Sequence, residues 1–129
     1  MKYSLKEIRK KQSLAEKYHL EGRELLKDCD AVQKYCNGIG ADWMPAWLRR
    51  ITTCLFPSLV IAADIHDIRY GQGGTHEDRV RADAEFLVNV EFIAFSRNRL
   101  RRAVIRRIGW KMYAMISVWG RLSWKERQA

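Results

Sequence analysis

The chain reads as an all-α protein, a small helical domain, on three observations. Only 2 of its 129 residues are proline, so little interrupts long helices. Apolar residues recur at spacings of three and four through the second half, the period of a helix face, and no alternating run of useful length marks a strand. Helix-start signals also stand ahead of the apolar runs, at Ser4, Pro57 and Thr75.

Taken in order, Ser4-Leu5-Lys6-Glu7 is a capping box, in which Ser4 and Glu7 satisfy unpaired backbone N–H groups. The helix it opens is predicted to run to about Asp28, with Glu7 and Lys11 as an i,i+4 charge pair and Gly22 as its weakest point. A loop follows, Asn37-Gly38-Ile39-Gly40-Ala41-Asp42, whose two glycines allow the backbone to turn carbonyls inward. A short helix from Trp47 to Leu55 is expected after Pro45. Pro57 suits the first turn of a new helix, which is predicted to reach Tyr70 before Gly71-Gln72-Gly73-Gly74 stops it. Thr75 caps the next helix, with Glu77 and Asp78 in its first turn where the helix dipole favours anions, and that helix is predicted to extend to about Arg99. The segment from Arg101 to Trp119 reads as a last amphipathic helix.

Composition narrows the function classes. With 47% apolar and 30% charged residues the chain has the balance of a folded domain rather than a disordered one. Cys29, Cys36 and Cys54 are an odd number and have no zinc-ligand spacing, which disfavours a disulfide framework or a structural zinc. No secretory leader and no membrane-length apolar stretch is visible, so the expected compartment is the cytoplasm. The net charge of +9 is uneven. Residues 1–36 hold 9 basic and 6 acidic groups, 37–96 hold 5 and 8, and 97–129 hold 10 and 1. That basic tail implies an anionic partner or a solvated basic face.

Chemistry concentrates on the two central helices. Leu59, Ala63, His66 and Tyr70 share one helix stripe, which turns His66 towards the interior. On the following helix Val80, Asp83, Leu87, Val90 and Ala94 form an apolar seam containing one carboxylate. A buried carboxylate is costly unless it is paired. The short glycine connection makes the two helices antiparallel, which brings Asp83 level with His66 and Tyr70. His66 is then expected to donate one ring N–H to Asp83, with the Tyr70 hydroxyl helping, and to keep its other ring nitrogen as an acceptor for general-base work. Asp67 projects about 100° around the helix. Facing a glycine-containing loop, it suits a hard cation such as calcium, which takes carboxylates, carbonyls and water. Ser58, Ser96, Ser117 and Ser123 have no histidine at a suitable spacing, and His19 and His76 read as surface residues.

The pattern His66-Asp67-x-x-Tyr70, followed by Arg81-Ala82-Asp83-x-x-Phe86, resembles the phospholipase A2 superfamily, and most closely its compact, disulfide-free type found in phage, prophage and parvovirus capsid proteins. The resemblance covers roughly residues 37–87. It implies a phospholipase A2-like fold with two antiparallel helices carrying a His/Asp site and calcium-dependent hydrolysis of phospholipid esters by a His-activated water. By that resemblance His66 would deprotonate water, Asp83 would orient His66, Tyr70 would brace Asp83, and Asp67 would hold calcium. Gly38 and Gly40 look like the calcium-loop glycines, with the Asn37 and Gly38 carbonyls as ligands. The secreted members differ in having many disulfides and a denser Cys-Gly loop. The organisation is then one domain over 1–129, with the calcium loop and catalytic helix pair in 37–99 and a basic amphipathic helix in 101–124.

On that last helix Val104, Ile108, Met112 and Met115 are expected to form one apolar face, with Ile105, Trp119, Leu122 and Trp124 nearby and Arg102, Arg106 and Lys111 elsewhere. Such a helix suits peripheral contact with a phospholipid surface or, equally well, a core position from which the arginine side chains snorkel to solvent. Nucleic acid is a weaker candidate, since no readout motif is present. Trp43 and Trp47, beside the glycine loop, are candidates for the rim of an acyl-chain cleft or, equally, for ordinary core positions. The alternative function is a non-enzymatic phage-type accessory protein that keeps the fold and binds anionic membrane or nucleic acid through this helix.

Overall fold

A computed structural model describes residues 3–36, 56–120 and 124, with the backbone alone at 119. Among the described residues the chain is all-helical, with five α-helices and no strand. They are α1 (Leu5–Lys17), α2 (Cys29–Tyr35), α3 (Pro57–Gln72), α4 (His76–Phe95) and α5 (Arg99–Trp119), with a 3-10 turn over Arg23–Lys27 between the first two. Asn37, Gly38 and Gly40 of the expected calcium loop lie outside the described residues, as do Trp43, Trp47, Cys54 and the expected short helix.

The capping box opens α1 as expected: Ser4 Oγ accepts from Glu7 N and Glu7 Oε1 from Ser4 N, both at 3.2 Å. The helix ends at Lys17, however, and not near Asp28. His19 has φ 53° and Gly22 φ 79°, so the chain reverses there. At Gly22 a Cβ would also meet Ile65 Cγ2 at 2.8 Å, and only glycine suits both the dihedral and the space. The physical reason for the reversal is burial. A straight helix from Leu5 to Asp28 would be about 36 Å long and could not bury Leu20 and Leu26 beside Ile8 and Ala15, all of which are inside. The returning segment is tied to α1 by Gln12 Nε2 donating to Leu26 O at 2.7 Å and to the start of the chain by Gln33 Nε2 donating to Tyr3 O at 2.9 Å.

Helix α3 starts with Pro57 in its first turn and has eleven buried residues between Ser58 and Tyr70. It is the central helix, enclosed by α1, α2 and α4. Thr75 and Asp78 then form a second capping box at the head of α4. Asn89, fully buried, exchanges two hydrogen bonds with the backbone of Glu21, at 2.7 and 3.0 Å. Helix α4 stops at Phe95, four residues before the expected end, because Arg97 folds inward to donate to Tyr18 Oη and Ser58 Oγ and Asn98 caps α5.

Two apolar faces are also rotated from their expected positions. Helix α4 buries Arg79, Ala82, Asp83, Phe86, Asn89, Val90, Ile93 and Ala94, leaving Val80 half exposed and Leu87 part-buried. The inner stripe therefore centres on 79/83/86/90 and keeps Asp83 within it. On α5, Ile105 is buried and Ile108, Met112, Tyr113 and Ile116 pack on the core, whereas Val104 faces outward. Helix α5 packs chiefly on α4, which selects one side of its broad apolar surface. No described helix is long and apolar enough to cross a membrane.

Candidate active site

The antiparallel packing of α3 on α4 places His66 against Asp83. Nε2 of His66 lies 2.9 Å from Oδ1 of Asp83, and the Tyr70 hydroxyl donates to the same oxygen at 2.7 Å. An ionised carboxylate only accepts, so the proton sits on Nε2 and Nδ1 is left as the acceptor. All three side chains are buried, His66 to within 7% and Asp83 to within 4% of full enclosure. The imidazole is held between rings. Tyr70 lies against it at 4.2 Å between centroids, and Phe86 meets it edge-on at 5.7 Å. These contacts fix its orientation as well as its tautomer. Burial, with Asp83 beside it, pushes the Tyr70 hydroxyl well above the usual phenol range, so it stays a donor.

A third donor was not among the expected residues. Arg79, itself buried, reaches the other oxygen of Asp83 at 3.4 Å from the preceding helical turn. The signal was present in the i,i+4 spacing of Arg79 and Asp83. Asp83 is thus enclosed by an imidazole, a phenol and a guanidinium, the kind of pairing that a buried carboxylate requires. Two further residues shape the site. Trp124 stacks edge-on against Tyr70 at 4.9 Å and donates to Gly74 O at 3.2 Å. At Gly120 a Cβ would lie only 2.3 Å from the Tyr70 hydroxyl oxygen, so a larger residue would push that hydroxyl off Asp83.

Asp67 stands next to His66 on the side of α3 away from Asp83 and is part-buried. One turn earlier lies Asp64, fully enclosed and unanticipated from sequence. Lys11 Nζ pairs with its Oδ2 at 2.8 Å and the Tyr3 hydroxyl donates to its Oδ1 at 3.1 Å. Burial outweighs Lys11 and raises the Asp64 carboxyl above its ordinary range. Cys36 donates its thiol to the Asp64 carbonyl at 3.4 Å. Burial, then Asp64 and Asp67, pushes that thiol far up, which disfavours the thiolate form. Among the described residues no group of three or more His, Cys, Asp or Glu side chains is gathered to hold a metal ion. Asp67 is the one described member of the expected calcium set.

The arrangement can hold an imidazole in a fixed tautomer for proton abstraction beside a carboxylate suited to a hard cation. Compared with known proteins, the chain matches no family model, no curated protein and no solved structure.

Proposed function

We propose that this protein hydrolyses phospholipid ester bonds with a water activated by His66 and with calcium as its cofactor. The observation that carries the reading is the buried Tyr70–Asp83–His66 chain, at 2.7 and 2.9 Å. Asp83 holds Nε2 of His66 in the protonated form, so Nδ1 takes a proton from water as its oxygen bonds to the ester carbonyl carbon. The proton then returns from Nδ1 to the leaving alkoxide as the ester C–O bond breaks, giving a fatty acid and an alcohol. Tyr70 and Arg79 hold the Asp83 carboxylate in place against the imidazole by their hydrogen bonds.

Asp67 is a hard oxygen donor of the type calcium prefers. Cys36, the residue joined to Asn37, lies against α3 at Asp64, one turn before Asp67. Bound calcium would supply polarisation of the carbonyl and neutralisation of the oxyanion.

The test is fatty-acid release from phospholipid vesicles with calcium or with excess chelator, for the native chain and for His66→Gln. Release by the native chain should require calcium, and His66→Gln should lower it by roughly a hundredfold or more, the scale of a general base. No release by the native chain, or release indifferent to both chelator and the substitution, overturns the reading.

A further inference from the structure

The end of the molecule where α4 passes into α5 carries an unusual surface. Phe95, the last residue of α4, is 64% exposed and Leu100, in the first turn of α5, is 76% exposed. Phe92 and Val104 continue the exposed apolar area one turn back on each helix. Residues 97–107 hold six arginines and no acid. Arg97 and Arg102 are used internally. Arg97 ties the tip to Tyr18 and Ser58, while Arg102 lies 4.8 Å over the Phe95 ring and donates to Phe95 O at 3.1 Å. Arg106 is paired with Glu91. Arg99, Arg101 and Arg107 are exposed and make no ion pair among the described residues.

We propose that this tip is a docking surface for an anionic phospholipid bilayer, with Phe95 and Leu100 entering below the headgroups and Arg99, Arg101 and Arg107 meeting the phosphates. Charge complementarity chooses the partner. A run of guanidinium groups without acids around large apolar side chains matches the boundary between lipid phosphates and acyl chains. Guanidinium groups also bond phosphate oxygens in pairs. Nucleic acid would satisfy the arginines but would leave Leu100 and Val104 in water, since aliphatic side chains offer bases nothing to stack on. The surface is also pre-ordered, because Arg97, Arg102 and the Asn98 cap hold the turn. It differs from the face anticipated on α5, whose Ile108 and Met112 pack on the core.

The surface lies about two helical turns along α3 from His66, measured from Ser58 at roughly 1.5 Å per residue, and the proposal does not depend on the hydrolase reading. Co-sedimentation of the full chain in excess chelator keeps hydrolysis out of the measurement. The vesicles are phosphatidylcholine alone, or equal parts phosphatidylcholine and phosphatidylglycerol. The native chain should bind the anionic vesicles in a salt-sensitive manner and the neutral ones at least tenfold less. Arg99→Gln/Arg101→Gln/Arg107→Gln should weaken anionic binding roughly a hundredfold, at about fivefold per arginine near the surface. Phe95→Ser/Leu100→Ser should weaken it tenfold or more with an unchanged circular dichroism spectrum. Leu100→Ser alone serves if that pair unfolds, and should still weaken binding severalfold. Equal binding to neutral vesicles overturns the proposal, as does native-like binding by the serine variants, or competition by duplex DNA that the serine changes leave untouched.

Discussion

Asp83 has more depending on it than any other side chain described. It accepts from His66 and Tyr70 on one oxygen and from Arg79 on the other. Removing it strands a buried guanidinium and a buried hydroxyl, whereas removing only the Tyr70 hydroxyl deletes one charge-assisted bond. Asp83→Ala should therefore cost about 3 kcal/mol of unfolding free energy, and Tyr70→Phe about 1.5 kcal/mol. Urea denaturation of the two variants checks the order, and a larger loss in Tyr70→Phe would show that Asp83 is not the hub of the cluster. The His66–Asp83 pairing was legible in the sequence because a lone carboxylate in an apolar stripe demands a partner. Asp64 was not, since its partners Lys11 and Tyr3 come from another helix and from the segment that leads into it.

Helix α4 delivers Asp83 two turns after its own start, so its first turn is part of the site's support. Thr75 Oγ1 accepts from Asp78 N at 3.2 Å and Asp78 Oδ2 accepts from Thr75 N at 2.9 Å. These bonds hold the Asp78 carboxyl below its ordinary range. Thr75→Ala should cost about 1 kcal/mol and lower the melting temperature by about 4 °C, read by calorimetry. An unchanged melting temperature would mean that α4 is held by packing alone. Helix starts such as this one were readable because a cap is a contact between residues three apart. The ends of α1 and α4 were not, because the first is set by the burial of Leu20 and Leu26 and the second by Arg97 reaching Tyr18 and Ser58.

Lys11–Asp64 joins α1 to α3 across the core, and its ionisation links stability to pH. The Asp64 carboxyl is raised above 3.8 in the folded protein. Below that pH it is protonated in both folded and unfolded chains. As pH rises through the folded value the unfolded chain ionises first, so the carboxyl's contribution to stability falls over that window. Asp64→Asn removes the effect. Unfolding free energies measured from about pH 4 upward should therefore move in favour of the variant with increasing pH. A difference that stays constant, or that moves towards the native chain, would show that Lys11 outweighs burial.

The amino-acid order alone determined that the chain is helical, that α3 begins at Pro57 and α4 after Thr75, and that these two run antiparallel. It also paired His66 with Asp83 and Tyr70. Those features rest on caps, glycine stops and periodicity, all of which act within a few residues. Tertiary packing decided that α1 stops at Lys17, that Arg79 joins Asp83, and that α5 turns Ile105 rather than Val104 inward. It also left Phe95 and Leu100 facing solvent among arginines. The physical reason is the same in each case. A helix period marks which stripes are apolar, but the neighbouring elements choose which stripe is covered, and those neighbours meet only once the chain has folded.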